Sequence, residues 1–465
     1  MLGEQSSMKS WVTEELKNTN LPDQRLNKRL MKIVEQGVEK PNMSVPQASG
    51  NWTNTKATYD FWKSNRFEYE DIIEGHRIQT VKRASQEDTV LVIQDTSDFN
   101  FTHHKSKTRQ KGFGQTCSQS YVRGLKVHSS LVANSMGIPL GILDLQIWTR
   151  KPPKKNQKTK KSILQKESKR WLRGLVDAEQ TLPRSTKIVT VTDREGDIFE
   201  LLSLPREENS ELLIRAKHNR RVEDELKYLK QSIYALEVAG ELSITLPKQD
   251  GKKSRQAKLS IRFGSVTLMA PSNLGTGKES LKLNVICVVE EQPMEGEKAI
   301  NWLLLTTLPV NSWSEAVTCI RWYTYRWLIE RYHYVLKSGC GIEKLQLKTA
   351  QRIKKALATY AIVAWRLLWL LYHSRENPSN SCSTILEKDE WQSLYCHINN
   401  STKIPKEAPT VKEVIIWIAK LGGFLARKND GFPGVKCLWK GLKRLHDISS
   451  SWTRAKSFLG KTLET

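Results

Sequence analysis

The sequence predicts an α/β protein whose core of strands and helices is flanked by a helical region at each end. Residues 9–80 place apolar side chains at helical spacing. Apolar runs rich in β-branched residues, each of strand length, begin at residue 89. Residues 376–465 again have helical periodicity, interrupted by Gly and Pro. These observations predict three regions, residues 1–80, 81–375 and 376–465.

The charge of the chain is strongly unbalanced, since 74 Lys and Arg residues face 49 Asp and Glu residues, for a formal net charge of +25. This excess favours a polyanionic partner, either nucleic acid or an anionic membrane surface, and nucleic acid is the stronger prediction. The alternative is a basic soluble protein with a solvated surface. With 465 residues, the chain is long enough for more than one structural unit.

Cysteine usage and hydropathy favour a cytoplasmic location. The seven cysteines are scattered and form no CxxC pair, which argues against a disulfide framework and against a zinc ribbon. The N-terminal segment has no apolar signal core. The longest apolar run, residues 356–373, contains Arg366 and is short for a membrane span, so it predicts a buried helix. No membrane partner is predicted.

The N-terminal region interleaves aromatic and basic residues, as in NWTNTKATYDFWKSNRF, residues 51–67. This pattern is typical of a helical module that contacts DNA, because aromatic rings stack on bases and cations bind phosphates. An ordinary helical bundle with a basic face fits the same pattern. Both interpretations stay open on this segment alone.

Two strands of the predicted core each end in an aspartate. TVLVIQD ends in Asp95, and KIVTVTD ends in Asp193. A carboxylate at the end of a buried strand is held rigidly, as a metal site requires. The alternative is that each aspartate only terminates a strand or caps a turn. Two such aspartates favour the metal interpretation more than one would.

The other core elements are two antiparallel strands over 121–134 and 137–148, a strand over 211–217, and a β-rich insertion over about 222–310. Inside the insertion, AKLSIRF and SVTLMA predict two separate strands. Residues 149–171 contain ten Lys and Arg residues and one Glu, so they predict an exposed basic loop leading into a helix near 163–180. This loop is a candidate for contact with a phosphate backbone.

A helical segment, residues 320–346, collects positive charge around the single carboxylate of Glu330. On one continuous α-helix, at about 100° per residue, Tyr323, Arg326, Glu330 and Lys337 would fall within an arc of about 60° along about 21 Å. This arrangement predicts that Glu330 binds a metal while the other three grip phosphates. The alternative is a basic amphipathic helix with a local Arg326–Glu330 ion pair.

Three carboxylates from two strands and a helix can bind two divalent cations. Two such ions activate a water or a 3′-hydroxyl for in-line displacement at phosphorus and stabilise the leaving oxygen. Hard oxygen ligands suit Mg²⁺, for which Mn²⁺ can substitute.

The spacing Tyr323-x2-Arg326-x3-Glu330-x6-Lys337 resembles the Y-(2)-R-(3)-E-(6)-K signature of bacterial insertion-sequence DDE transposases, in the IS-four family of the Tn-five type. VIQDTSDF is similar to that family's strand–Asp–Thr motif, and VTDREGDIFELL is similar to its Asp-Arg-Glu motif. Further similarity, from LPDQRLNKRL near the start to LWKGLKRL near the end, extends the resemblance over nearly the whole chain.

The resemblance implies an RNase H-like catalytic core interrupted by the β-rich insertion. It also implies an N-terminal module that binds the inverted-repeat ends and C-terminal helices that form a homodimer in the synaptic complex. The implied reaction begins with a nick in one DNA strand. The freed 3′-hydroxyl then forms a hairpin, which is reopened before strand transfer into target DNA.

The resemblance assigns roles to individual residues. Asp95, Asp193 and Glu330 would be the catalytic metal ligands, with Asp98 as a second candidate behind Asp95. Trp302 would hold a flipped base during hairpin formation, although a core tryptophan is the alternative. The basic residues implied to contact DNA near the cleavage site, for which a solvated basic edge is the alternative, are Arg215, Lys217 and Arg220.

Three functions are compatible with these observations. The first is a cut-and-paste transposase. The second is a catalytically silent DNA-binding protein derived from such an element, against which the presence of all three acids counts. The third is an RNase H-like nuclease that hydrolyses DNA without strand transfer. Trp302 and the complete helix signature favour transposition.

Overall fold

The computed structural model describes residues 9–104, 112–116, 121–150, 166–246, 255–272, 279–297, 299–428 and 430–463. The chain divides into two compact units. The first combines the described residues of 1–83, 96–155 and 328–465, and the second combines those of 84–95 and 156–327. Each unit is therefore assembled from segments that are distant in sequence. The boundaries of the three predicted regions stay a prediction.

Helices supply much of the first unit. They are α1 (Ser10–Leu16), α2 (Gln24–Glu39), α3 (Val45–Ser49), α4 (Trp52–Lys63), α5 (Tyr69–Ala84), α10 (Trp327–Tyr334), α11 (Ala350–Glu376), α12 (Lys388–Asn399), α13 (Val411–Leu421) and α14 (Val435–Leu463). Several begin at a side-chain cap that satisfies an otherwise unpaired backbone N–H. Asn51 accepts from Asn54 N at the start of α4, and Thr410 and Glu413 form a capping box at the start of α13.

Helix α11 is the long apolar helix that the sequence predicts to be buried. It is long and apolar enough to cross a membrane by length and composition, but 83% of its most apolar window is buried inside the protein. Arg366 is 6% exposed and its guanidinium lies over the rings of Trp11 and Trp369, at 4.6 and 4.4 Å from the centroids. The structure thus confirms a core helix, with a cation held between aromatic faces.

The aromatic residues of α4 serve two different purposes. Phe61 and Trp62 are buried, and Trp62 Nε1 donates to Thr359 Oγ1 of α11 at 3.2 Å. Trp52, in contrast, is 77% exposed at the start of the helix, with Lys56 exposed one turn later. Part of the aromatic pattern is therefore core packing, and part lies on the surface.

The first unit also contains the antiparallel pair that the sequence predicts. Strand β3 (Arg123–Asn134) pairs with β4 (Pro139–Trp148), and the short β2 (Gly114–Gln115) pairs with the first two residues of β3. Gly137 in the connecting turn has a φ of 85°, a conformation that glycine adopts without steric cost.

The second unit is built on a mixed sheet. Its strands are β1 (Thr89–Asn100, up to Asp95), β5 (Lys187–Thr192), β6 (Ser210–Arg215), β7 (Gly240–Leu246), β8 (Arg255–Leu268), β9 (Leu281–Val289) and β10 (Asn301–Thr306). Their order is β1-β5-β6-β10-β9-β8-β7. The pairs β1–β5 and β5–β6 are parallel, and the remaining pairs are antiparallel. The predicted β-rich insertion thus continues the same sheet.

Helices α6 (Lys169–Thr181), α7 (Phe199–Leu202), α8 (Leu229–Tyr234) and α9 (Trp313–Thr324) accompany this sheet. Trp171 and Leu175 of α6 join a buried hydrophobic cluster with Leu212 and Ile214 of β6. Side chains alternate along a strand, so this cluster defines one face of the sheet and leaves residues of the other parity to the opposite face.

Two predicted strand boundaries are wrong. Strand β1 does not end at Asp95 but continues to Asn100, because its second half lies beside β3. The two strands predicted around Gly264 are one strand, β8, because Gly264 keeps its place in an unbroken antiparallel register opposite Val285. Glycine there reduces side-chain packing without interrupting the hydrogen-bond ladder.

Most of the predicted basic loop over residues 150–170, namely 151–165, lies outside the described residues. Helix α6 begins at Lys169, later than the predicted start near residue 163. Arg170 at its start donates to Glu195 at 2.9 Å, and the guanidinium lies over the ring of Trp171.

Candidate active site

The parallel register places Asp95 and Asp193 side by side. Ile93 of β1 is opposite Val191 of β5. Asp95 is two residues after Ile93, and Asp193 is two residues after Val191. The two aspartates therefore lie at the same level on neighbouring segments of the sheet, and neighbouring strands are about 4.8 Å apart. Registered residues share a face, so both carboxylates belong to the same side of the sheet. Both residues are half-buried.

Arg215 extends the same line. Thr192 of β5 is opposite Ile214 of β6, so Asp193 and Arg215 fall at one level when the register continues by one residue. Ile214 belongs to the hydrophobic cluster with α6, and Arg215 has the opposite parity. The edge of the sheet thus carries two carboxylates and a guanidinium on the face away from that cluster.

Asp98 differs from Asp95 in both direction and partner. The two are three positions apart on β1, so their side chains point to opposite faces of a regular strand. Asp98 pairs with the ammonium of Lys126, which is 8% exposed and also donates to Thr116 O at 3.1 Å. The Asp98 carboxylate thus neutralises a buried lysine, which favours Asp95 as the ligand.

Asp193 also caps a tight turn. Its Oδ1 accepts from Glu195 N at 2.8 Å, at the start of the 3₁₀ turn Arg194–Gly196. A Cβ on Gly196 would lie 2.2 Å from Thr192 Oγ1, so the turn requires glycine to pack against β5. The capping interpretation is therefore correct, and it is compatible with a ligand role because the cap fixes the direction of the carboxylate.

Trp302 and Tyr323 bring an aromatic pair to the second unit. Trp302 of β10 is half-buried, and its ring meets Tyr323 of α9 edge to face, with centroids 5.3 Å apart at 65°. Trp302 has the opposite parity to Leu303 and Leu305, which belong to the cluster with α6. The tryptophan is thus on the face that carries Asp193 and is not part of that core cluster.

The Tyr323 hydroxyl lies in a positively charged environment. Tyr323 is 4% exposed, and its hydroxyl lies close to the guanidinium groups of Arg215 and Arg326. Burial raises the pKa of Tyr323, although the nearby charges of Arg326 and Arg215 oppose that shift. Burial likewise lowers the pKa of Arg215. A buried hydroxyl beside two guanidinium groups suits an incoming anionic oxygen.

The four residues of the helix signature do not lie on one continuous α-helix, so that prediction is wrong. Helix α9 ends at Thr324, and Arg326 N donates to Tyr323 O at 3.1 Å in a tight turn before α10. After α10 the backbone widens into a π-helical turn, Val335–Gly339, which holds Lys337. Such turns rotate side chains by different angles than an α-helix does, so uniform spacing misplaces them.

Glu330 and Lys337 belong to the first unit, whereas both aspartates belong to the second. Glu330 is half-buried on α10, and Lys337 Nζ lies 5.1 Å from the ring centroid of Phe99. In the described part of the chain, no group of three or more His, Cys, Asp or Glu side chains is arranged to hold a metal ion. The structure therefore brings two of the predicted ligands together, and the contribution of Glu330 stays a prediction.

Arg220 does not fit the predicted contact with DNA. Its side chain is 10% exposed, and its guanidinium pairs with the buried Asp197, with Nη2 at 2.5 Å from Oδ1. Its charge is thus used inside the protein, while Lys217, two residues beyond the end of β6, is exposed. The sequence interpretation overlooked Asp197, although the second aspartate of DREGD was a visible signal.

Three family models match successive parts of the chain. A model described as Transposase DNA-binding matches residues 8–67, and one described as Transposase DDE domain matches residues 86–366. A third, described as Transposase Tn5 dimerisation domain, matches residues 362–460. The DDE match covers more than half of the 465 residues and includes all three predicted acids. The predicted α/β class, with an RNase H-like core between helical regions, is confirmed.

Proposed function

Because the chain belongs to the DDE transposases, in the IS-four family of the Tn5 type, we propose that it moves an insertion sequence by cut-and-paste transposition. The steps are nicking of one strand at each end, hairpin formation, hairpin opening and strand transfer into target DNA. The observation that carries this proposal is the parallel register of β1 and β5, which sets Ile93 opposite Val191 and, continued by two residues, brings Asp95 and Asp193 to one level and one face. Paired carboxylates at the edge of a sheet are what metal-dependent phosphoryl chemistry requires.

The donor set of the site fits a hard divalent cation. Asp95 and Asp193 offer carboxylate oxygens from neighbouring segments of the sheet, and Glu330 is the proposed third ligand. The cofactor would be Mg²⁺, for which Mn²⁺ can substitute, with two ions per site. When bound, these ions would activate the attacking oxygen and stabilise the leaving oxygen. The Asp193 cap and the Gly196 turn keep one carboxylate directed for that task.

The DNA strand at the cleavage site would be held by cations around a buried donor. Arg215 and Arg326 lie beside the Tyr323 hydroxyl, so these three groups can together bind one phosphate. Lys337 and Lys217 would bind neighbouring phosphates. Arg220 is left out of this set because Asp197 already pairs with it.

Trp302 would hold the base that leaves the helix during hairpin formation. Its ring is half-buried and braced by Tyr323, so one part of the indole is fixed while another part is accessible. An aromatic face stacks an extruded base for about 1–3 kcal/mol.

The terminal regions would bind DNA ends and a second copy of the chain. The matched DNA-binding region presents Trp52 and Lys56 at its surface, which suits a contact with the inverted repeat. The matched dimerisation region presents Phe458 and Leu459 on α14, 72% and 61% exposed, which suits burial against another protomer. A cytoplasmic location, with access to the nucleoid, accords with these roles.

The test is a cleavage assay on the inverted-repeat ends that flank the gene, with Mg²⁺, comparing wild type with Glu330→Ala. We expect wild type to give a nick and then a hairpin or double-strand break, and the variant to bind the ends without cleaving them. Near-normal cleavage by the variant would remove Glu330 from the ligand set. End binding without cleavage by wild type, even with Mn²⁺, would identify a catalytically silent DNA-binding protein instead.

A further inference from the structure

Asp197 is a buried carboxylate that the proposed chemistry does not use. It is 3% exposed, and its Oδ2 accepts from Lys217 N at 2.7 Å and from His218 N at 2.9 Å. Its Oδ1 accepts from Arg220 Nη2 at 2.5 Å and from Arg220 Nε at 3.1 Å, and its carbonyl accepts a further bond from Nη2 at 2.9 Å. One residue thus ties down the segment that leaves β6.

That segment carries Lys217 past the site. Strands β6 and β10 are antiparallel, with Arg215 opposite Leu304, so extending the register by two residues sets Lys217 opposite Trp302. Paired residues of neighbouring strands share a face and lie about 4.5–5.5 Å apart. The exposed Lys217 side chain and the half-buried Trp302 indole are therefore neighbours on the face of the sheet that carries Asp193.

The charges explain why this arrangement can present Lys217 outward. Asp197 and Arg220 form a buried pair in which Nε and Nη2 both donate to Oδ1, so each residue neutralises the charge of the other. The carboxylate still accepts from the backbone of Lys217 but has its charge matched by Arg220. The ammonium of Lys217 stays on the exposed side of the strand, where a phosphate can reach it.

We propose that the Asp197–Arg220 pair is a positioning device that fixes the backbone of Lys217 beside Trp302. With the backbone fixed, the Lys217 ammonium meets the DNA phosphate next to the base that Trp302 holds. Asp197 and Arg220 do not touch DNA in this arrangement, and they act through Lys217. The predicted contact with DNA rests on the proposed transposase function, whereas the fixed position of the Lys217 backbone does not.

The first experiment measures, without DNA, how firmly the backbone of residues 216–220 is held. Hydrogen–deuterium exchange is followed in a peptide containing residues 216–220 for wild type, Asp197→Asn and Lys217→Ala. Because the amides of Lys217 and His218 donate to Asp197, we expect roughly tenfold faster exchange in Asp197→Asn and no change in Lys217→Ala. Unchanged exchange in Asp197→Asn would overturn the proposal.

The second experiment is a double-mutant cycle on the rate of hairpin formation from pre-nicked end DNA. Loss of the Lys217 contact with a phosphate is expected to slow this step about tenfold. Asp197→Asn should slow it by a similar factor, and the double variant should be no slower than Lys217→Ala alone. A multiplicative, roughly hundredfold loss would overturn the proposal, because Asp197 would then act independently of Lys217.

Further variants separate positioning from folding. Lys230→Ala removes an exposed lysine of α8 and should leave the rate unchanged. Arg220→Lys keeps a cation for Asp197 and should retain more activity than Arg220→Gln; equal loss in both would contradict the role of the pair. If Asp197→Asn fails to fold, the Arg220 variants carry both measurements. Failure of the wild-type protein to cleave would refute the proposed function. The exchange result would then still decide whether Asp197 holds the backbone of Lys217.

Discussion

Glu15 yields a quantitative prediction about how the N-terminal helices are held. Its carboxylate is 4% exposed, with Oε1 2.5 Å from His76 Nδ1 and Oε2 2.8 Å from Arg83 Nη1. His76 Nε2 accepts from Ile142 N at 2.9 Å, so Nδ1 carries the proton and donates to Glu15. Arg83 Nε donates to Leu140 O at 2.6 Å. The network thus joins α1, α5 and β4 of the first unit.

The perturbation is Glu15→Gln, and its cost follows from the pKa. Burial by itself would raise the pKa of Glu15, but His76 and Arg83 outweigh burial and lower that pKa from 4.5 to about 2. At about 1.4 kcal/mol per pH unit, the difference corresponds to about 3 kcal/mol of stability at neutral pH. Breaking a buried ion pair by removing one partner costs about 3–5 kcal/mol, which agrees.

The pH dependence has a definite sign. The folded-state pKa of Glu15 is below its unfolded value, so the stabilisation is present above pH 4.5 and is lost as the pH falls towards 2. Roughly half of it should remain at pH 3. The difference between wild type and Glu15→Gln should shrink accordingly on acidification.

The assay is urea unfolding of both proteins at pH 7 and pH 3, followed by tryptophan fluorescence. Glu14→Gln is the matched control, because Glu14 is on the same helix with its side chain 57% exposed, and its unfolding midpoint should equal that of wild type. A pH-independent difference between wild type and Glu15→Gln would refute the electrostatic reasoning. So would a loss in the control as large as that in Glu15→Gln.

Four further outcomes are expected. Asp95→Asn should lower cleavage roughly a thousandfold while end binding in a gel-shift assay stays normal, whereas Asp98→Asn should keep cleavage within about tenfold. Trp302→Ala should leave first-strand nicking intact and slow hairpin formation about 5- to 100-fold; equal loss of both steps would indicate a folding role. End affinity should fall with a log–log salt slope of about −0.9 per phosphate contact, and a flat response would contradict the electrostatic interpretation. Gly196→Ala should cost about 1–3 kcal/mol in thermal unfolding, since its Cβ would meet Thr192; an unchanged midpoint would show that the turn relaxes.

The strands that position the aspartates could be predicted because their signal is local. A buried parallel strand is a continuous run of branched apolar residues, and such a run precedes both Asp95 and Asp193. The level at which the two aspartates meet could not be predicted, because register depends on pairing between segments almost 100 residues apart. The register that sets Ile93 of β1 opposite Val191 of β5 is seen only once the sheet is assembled.

The signature segment shows the opposite case, in which a correct motif carried a wrong geometry. The four residues are at the predicted positions in sequence, but a tight turn precedes α10 and a π-helical turn follows it. Single-turn changes of helix type depend on neighbouring packing and leave little trace in composition.

Net charge is a poor guide to which cations meet DNA, because pairing inside the fold removes some of them. Arg220 is two residues beyond the exposed region of Lys217 and His218, yet Asp197 uses its charge 23 residues away in sequence. Lys126 is similarly used by Asp98. Both acids that neutralise these cations lie within four residues of a proposed metal ligand, Asp95 or Asp193. Under the proposed function, the acids around Asp95 and Asp193 would divide two tasks, with one acid facing the reaction and the other ordering the cations around it. Substitution to the neutral amide should separate these tasks, with loss of cleavage alone for the first acid and loss of local order for the second.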